Sequence, residues 1–198
     1  MTTLITEIIS SVVQVLLFSL IPFITWLLTA RKKQSFFSWI GLKNFSSSKK
    51  ECAKFAIGGF VICLIIGLVV YRFVLSGDWN KSTSAGMGII GIPCAIINCF
   101  IHTALSEEIL FRGFIQKRLQ MIFSFKVATI IQAVLFGLAH IVLILDKLTF
   151  VEGLTLALYP IIPGVLLAFV DEKKAEGSII PSWLMHGFMN LPLRLLQL

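Results

Sequence analysis

The chain has 198 residues, of which 57% are hydrophobic and only 14% charged, and its formal net charge is +7. A soluble domain carries about a quarter charged residues, and a single core of this size could not bury so much apolar surface. This composition excludes an ordinary soluble domain. It predicts an all-α, polytopic integral membrane protein with the lipid bilayer as a partner.

Six apolar stretches along the chain are candidates for membrane spans. A transmembrane helix needs about 20 mostly apolar residues, and the six stretches meet this requirement, some of them loosely. They are Leu4–Ala30, Ala53–Leu75, Gly86–Leu105, Val127–Leu145, Phe150–Val170 and Ile179–Leu196. We therefore expect a helical bundle with about six transmembrane helices, forming one membrane domain over residues 1–198.

Most basic residues lie in the loops that follow the first, third and fifth stretches. They are Arg31, Lys32, Lys33, Lys43, Lys49, Lys50, Lys54, Arg112, Lys117, Arg118, Lys126, Lys173 and Lys174. Cytoplasmic loops of membrane proteins are enriched in Lys and Arg, so we expect these loops in the cytoplasm and both chain ends outside. The positive charge then reflects topology and contact with anionic lipid, and it does not indicate a nucleic-acid partner.

The four cysteines and the N-terminus carry little functional signal. Cys52, Cys63, Cys94 and Cys99 lie in or beside apolar stretches without a C-x-x-C pair, which favours small apolar fillers over disulfides or metal ligands. The basic residues follow the first apolar stretch instead of preceding it, which favours a retained helix over a cleaved signal peptide.

The segment LSEEILFRG, residues 105–113, places three charges at the end of an apolar run. Ionisable groups inside a membrane are costly and are functional candidates by default. On a helix, Glu108 and Arg112 are four residues apart and can pair. Glu107 projects about 100° away from Glu108, which leaves its carboxylate available for chemistry. The alternative is an ion cluster at the helix end without a catalytic role.

Two later segments, FGLAH and HGFMN, also place polar groups in apolar sequence. Phe136 and His140 share one helix face, as do His186 and Asn190, and the last two could together bind an oxyanion. The alternatives are a hydrogen-bonded core histidine and an interhelical hydrogen-bond pair. His102 is a further histidine in apolar sequence.

Counting residues from the predicted cytoplasmic ends brings these groups to similar depths. At about 1.5 Å per residue, Glu107 lies roughly 15 Å from Lys117, and His140 roughly 21 Å from Lys126. His186 lies roughly 15 Å from Glu176 by the same count. A helix from residue 86 to residue 120 would be too long for one straight span, so we expect a break or bend near Gly113.

The order E-E-x-x-x-R, F-x-x-x-H and H-x-x-x-N on successive membrane helices resembles the CAAX protease and bacteriocin-processing family, also called the Abi family, of glutamic intramembrane proteases. The motifs are Glu107-Glu108-Ile-Leu-Phe-Arg112, Phe136-Gly-Leu-Ala-His140 and His186-Gly-Phe-Met-Asn190. The resemblance covers residues 86–198 as a catalytic core, and residues 1–85 form an N-terminal two-helix part with a basic loop.

The resemblance implies a role for each motif residue in peptide hydrolysis. Glu107 would work with His140 to activate water, while His186 and Asn190 would stabilise the oxyanion. Glu108 and Arg112 would fix the helix and the electrostatics of the site. A base, a proton donor for the leaving amine and an oxyanion binder are what this reaction requires. No cofactor is implied.

Three questions stay open at the level of sequence. Two histidines and a glutamate could instead hold zinc, as in a metalloprotease, although H-E-x-x-H is absent. The chain could also act without proteolysis, as a bacteriocin self-immunity factor or a membrane-protein scaffold. The expected partner is a peptide or protein substrate at the membrane, in a bacterial cell membrane, and its identity is unknown.

Overall fold

A computed structural model describes residues 2–74, 81–142 and 144–198, and every regular element within these residues is helical. The helices are α1 Thr2–Thr29, α2 Phe36–Ile40, α3 Lys49–Phe73, α4 Gly88–Leu119, α5 Phe125–Ala139, α6 Phe150–Leu158, α7 Ile161–Lys174 and α8 Ile180–Leu195. The expected all-α helical bundle is confirmed.

Each of the six predicted spans is helical over most of its length. Four helical stretches are long and apolar enough to cross a membrane: α1, α3, α4, and α6 with α7 taken together. The other two are shorter, since α5 has 15 residues and α8 has 16. Leu75, the last residue of the predicted second span, lies outside the described residues.

The outer surface of α1 shows why the bundle belongs in lipid. Leu16, Leu17 and Ile21 are 64%, 59% and 61% exposed, and similar side chains continue along the helix. Contiguous apolar surface of this extent is rare on monomeric soluble proteins. The exposed face therefore contacts acyl chains, and the chain is an integral membrane protein.

The basic end of the bundle is joined by loop-to-loop hydrogen bonds. The Ile179 N–H donates to the Gly41 carbonyl at 2.9 Å, and Lys117 Nζ donates to the Gly177 carbonyl at 2.7 Å. Ser46 donates from its backbone N–H and its hydroxyl to Glu176, which favours the ionised carboxylate and lowers its pKa. The loops that follow α1 and α7 are therefore joined to each other and form one continuous surface at this end of the bundle.

The opposite end of the bundle holds both ends of the chain. The Gly88 N–H donates to the Leu198 carbonyl at 2.9 Å, and Thr83 Oγ1 donates to Glu7 on α1 at 2.9 Å. Both termini therefore lie at the end away from the basic loops. Which side of the membrane this end faces stays a prediction.

No break occurs near Gly113, because α4 is continuous from Gly88 to Leu119, and the bend expected there as the alternative stays a prediction. A Cβ atom at Gly113 would lie 2.7 Å from the Ile40 carbonyl oxygen. This glycine thus allows α2 to pack closely against α4 and does not end the helix. Two segments of α4 are π-helical, Asn98–Leu105 and Ile109–Gln116, and the second includes Gly113.

The helix that carries His140 is shorter than the predicted span to Leu145. It ends at Ala139, and His140 is its C-cap residue. The chain then turns before Thr149, whose side chain caps the start of α6 in a capping box with Glu152. His140 consequently lies at a helix end and not in the middle of a span.

The four cysteines are all buried and unpaired, as apolar fillers would be. Cys52 and Cys63 pack with Leu167, Met185 and Met189 in a core cluster between α3, α7 and α8. This cluster fixes α8 against α3 and α7.

A glycine on α5 offers a test of helix packing in the bundle. A Cβ at Gly137 would overlap the Ala157 carbonyl oxygen, whereas a Cβ at Gly58 on α3 meets nothing within 4 Å. We expect Gly137→Ala to lower the free energy of unfolding by about 1–3 kcal/mol, and Gly58→Ala to raise it by about 0.5–1 kcal/mol. Thermal unfolding in detergent measures both, and equal effects would contradict the packing described.

Candidate active site

A cavity of about 420 Å³ opens in the centre of the bundle. It is lined by all four residues predicted to be catalytic, which are Glu107, His140, His186 and Asn190, and also by His102. A groove of about 620 Å³ lies between α3 and α8, but its lining is mainly apolar. The central cavity is therefore distinguished by its convergent polar groups and not by its size.

The two adjacent glutamates occupy different environments. Glu108 is fully buried, and its Oε1 lies 3.0 Å from Nη1 of Arg112, which is also buried. The pairing expected from their spacing is confirmed. The Glu107 side chain retains 17% exposure and lines the cavity. Both sit on the α-helical turn Ser106–Glu108, between the two π-helical segments of α4.

His186 lies between the two glutamates. Its Nδ1 is 2.8 Å from Glu108 Oε1, and its Nε2 is 3.6 Å from Glu107 Oε2. An ionised carboxylate only accepts hydrogen bonds, so His186 donates to Glu108 from Nδ1 and turns Nε2 towards Glu107. The Nε2–Glu107 separation is too long for a direct hydrogen bond.

The Glu107 carboxylate has one oxygen without a partner among the described residues. Its Oε2 is buried yet makes no hydrogen bond to any described residue. A buried carboxylate oxygen without a partner is costly, and a separation above 3.5 Å between polar groups is often bridged by water. The geometry of Glu107 therefore suits an acid that holds water.

His140 reaches the same cavity from the end of α5. A carbonyl can only accept, so the 2.7 Å contact between His140 Nδ1 and the Phe136 carbonyl places a proton on Nδ1. This leaves Nε2 as an acceptor. The Phe136 ring is buried and meets the His140 ring edge-on, with 4.7 Å between centroids.

Phe136 is the apolar centre of this arrangement. Its ring centroid lies 5.9 Å from that of His186 and 4.2 Å from the Arg112 guanidinium carbon. It therefore separates the two histidines, shields the Glu108–Arg112 pair from the cavity and stabilises the guanidinium through its π face. Sequence spacing predicted that Phe136 lies beside His140. It did not predict the contacts of Phe136 with His186 and Arg112.

Two buried residues that sequence reasoning missed support the helix of His186. Asp171 on α7 is 1% exposed and accepts hydrogen bonds from the backbone N–H and the hydroxyl of Ser182, at 3.2 and 2.6 Å. Ser182 is in the first turn of α8, so Asp171 satisfies one of its free N–H groups. In the sequence, Asp171 lies just before Lys173 and Lys174, a context that is typical of a solvated loop. For this reason the sequence did not indicate that its side chain is buried.

The depth expected for His186 is also corrected. Residues 176–179 are not helical, and α8 begins at Ile180. His186 consequently lies about 9 Å along its helix instead of roughly 15 Å.

The donor geometry does not fit the zinc alternative. In the described part of the chain, no group of three or more His, Cys, Asp and Glu side chains is arranged to hold a metal ion. We therefore derive no step through a metal.

The fold and family place this chain in a defined class of enzyme. A bundle of apolar helices around a polar cavity is the architecture of a protein that works within the membrane. The family model described as Type II CAAX prenyl endopeptidase Rce1-like matches residues 89–192, just over half of the chain and inclusive of all three motifs. The chain belongs to this family, and it is a membrane-embedded protease.

Comparison with curated proteins gave no match, and neither did comparison with solved structures. The family match confirms the resemblance seen in the sequence.

Proposed function

We propose that the chain is a glutamic intramembrane endopeptidase that hydrolyses a peptide bond of a peptide or membrane-associated substrate. The observation that carries this proposal is the unpartnered Oε2 of Glu107, which faces His186 Nε2 at 3.6 Å in a cavity shared with His140 and Asn190. Residues 86–198 form the catalytic core within one membrane domain.

In the first step, Glu107 and His140 orient a water molecule through hydrogen bonds that it donates to them. Glu107 accepts a proton as the water oxygen attacks the scissile carbonyl carbon, and a C–O bond forms. General-base assistance of this kind contributes about 10²–10⁴-fold in rate. Because the His140 tautomer leaves Nε2 as an acceptor, this histidine suits the orienting role.

In the second step, the negative charge on the carbonyl oxygen is stabilised by donors from α8. The Asn190 amide supplies one N–H, and His186 supplies another from Nε2 when both of its nitrogens are protonated. The tetrahedral intermediate then collapses, the C–N bond breaks, and the proton held by Glu107 passes to the leaving amine. Glu108 and Arg112 do not exchange protons with the substrate, and they hold His186 and α4 in place.

The membrane orientation follows from the charges at the two ends of the bundle. Loops rich in Lys and Arg face the cytoplasm, which places the surface formed by the loops after α1 and α7 on that side. Both chain ends then lie outside.

The direct test is cleavage of a labelled membrane peptide by the purified full chain in liposomes, with and without a zinc chelator. The proposal expects cleavage that a chelator does not inhibit. Cleavage that requires stoichiometric zinc would contradict the glutamic mechanism, and the absence of cleavage would favour a non-proteolytic role.

Asn190 offers a specific test of the oxyanion assignment. We expect Asn190→Ala to lower kcat by about 10²-fold, with KM changed little, because the donor acts mainly on the transition state. Asn44→Ala is the matched control, since Asn44 lines the lipid-facing groove and not the cavity. A rise in KM at unchanged kcat would instead assign Asn190 to substrate binding.

A further inference from the structure

A group of buried polar atoms lies between α4 and α5, outside the lining of the central cavity. The side chains are Arg112, Gln116 and Gln132, which are 1%, 0% and 0% exposed. Arg112 Nε and Nη2, Gln116 Oε1 and both side-chain amide atoms of Gln132 make no hydrogen bond to any described residue. The large majority of buried polar side-chain atoms in proteins have a hydrogen-bond partner, so this group indicates a bound ligand.

Two contacts between α4 and α5 bring the three side chains together. The Arg112 guanidinium carbon lies 4.2 Å from the centre of the Phe136 ring. One helical turn further along α4, Gln116 Nε2 donates to Thr129 Oγ1 at 3.0 Å. Gln132 is three residues after Thr129 and four before Phe136, so it shares their face of α5. Its side chain therefore faces α4 between the two contacts.

The unpartnered atoms include both donors and acceptors. Arg112 Nη1 faces Glu108 at 3.0 Å, whereas Nε and Nη2 form a second donor edge of the planar guanidinium. The amide nitrogen of Gln132 is a further donor, and the amide oxygens of Gln116 and Gln132 are acceptors.

This mixture of groups selects the chemistry of the ligand. An anion only accepts hydrogen bonds, and it would lie beside two amide oxygens and close to the Glu108 carboxylate. A cation would face the Arg112 guanidinium and be repelled by it. A water molecule both accepts and donates, and it carries no charge into the buried site.

We propose that these side chains form an internal water site that joins Arg112 on α4 to Gln132 on α5. Buried waters make about three hydrogen bonds to groups that have no other partner. The water accepts from the guanidinium edge and donates to the amide oxygens of Gln132 and Gln116. The site thus links the helix that carries Glu107 to the helix that ends at His140, and it is independent of whether the chain cleaves peptides.

The direct test is a crystal structure of the full chain at a resolution that shows ordered waters, with bromide replacing chloride in the crystals. We expect density about 2.7–3.2 Å from Arg112 Nε or Nη2 and at a similar distance from a glutamine amide oxygen, without an anomalous signal from bromide. An anomalous peak at this position would assign the site to an anion. Empty density, or direct hydrogen bonds between Gln132 and Arg112, would show a dry contact. Either result would overturn the proposal.

The sign of a stability change tests hydration independently. In a dry site the Gln132 amide is buried without partners, so the unbranched Gln132→Met would remove a desolvation cost and raise Tm. In a hydrated site it removes hydrogen bonds of the water, and we expect Tm in detergent to fall by about 2–6 °C. Gln34→Met is the matched control, because Gln34 is exposed, and it should change Tm by no more than about 1 °C. A rise or no change for Gln132→Met would contradict the water site.

A double variant tests whether the two glutamines share the water. Gln116→Met and Gln132→Met each remove one of its partners, so the double variant should lower Tm by less than the sum of the two single shifts. Additive shifts would show that the two side chains act separately, and they would overturn the bridged site.

Discussion

Glu107→Gln is expected to lower kcat for peptide cleavage by about 10²–10⁴-fold while the protein remains folded and inserted. Glutamine keeps the shape of the side chain but cannot accept the proton of the attacking water. The cavity is retained because Glu107 Oε2 accepts no hydrogen bond from a described residue. Steady-state cleavage in liposomes, together with thermal unfolding in detergent, measures both parts of this expectation.

Glu51→Gln is the matched control for Glu107→Gln. Glu51 is half exposed, and its Oε1 lies 3.9 Å from Lys54 Nζ on the surface of α3, so its loss should leave kcat within about 2-fold. If Glu107→Gln cleaves at the full rate while a folded Glu108→Gln variant does not, the roles assigned to the two glutamates are reversed.

Arg112→Met is expected to lower the free energy of unfolding by about 3–5 kcal/mol, because it leaves the Glu108 carboxylate buried without its ion-pair partner. The two side chains are 1% and 0% exposed, so water cannot replace the lost interaction. The substitution also removes the guanidinium from the Phe136 ring. Thermal or denaturant unfolding of the full chain in detergent measures the change.

The double variant Glu108→Gln with Arg112→Met separates the ion pair from general packing. Because the second substitution removes the charge that the first left unpaired, the double variant should be more stable than the sum of the two single effects predicts. Strict additivity would show that the two groups do not interact, contrary to their 3.0 Å separation.

The sequence predicted the helical class and the positions of the six apolar segments, because hydropathy alone identifies stretches that need an apolar environment. It did not predict where α5 ends or that α4 continues past Gly113. A glycine in the sequence usually indicates a low helix propensity, but Gly113 allows Ile40 to approach α4 closely. That contact joins two different helices, so residue spacing along one helix cannot predict it.

The sequence also predicted only some of the contacts in the candidate site. Four-residue spacing correctly paired Glu108 with Arg112, since that contact lies within one helix. The position of His186 between both glutamates depends on how α4 and α8 pack. Asp171 was missed because its neighbours Lys173 and Lys174 resemble a solvated loop, whereas its carboxylate is buried against Ser182.

Of the six predicted spans, the two with the shortest helices, α5 and α8, carry His140, His186 and Asn190. At 15 and 16 residues they extend about 22 and 24 Å, less than the roughly 30 Å of a typical hydrocarbon core. A short span can be matched by local thinning of the bilayer, and such thinning would draw headgroups and water towards the cavity. A substrate helix that approaches from this side would lie in a thinner hydrocarbon layer, where unwinding costs less free energy. The protein would also favour thinner regions of the membrane.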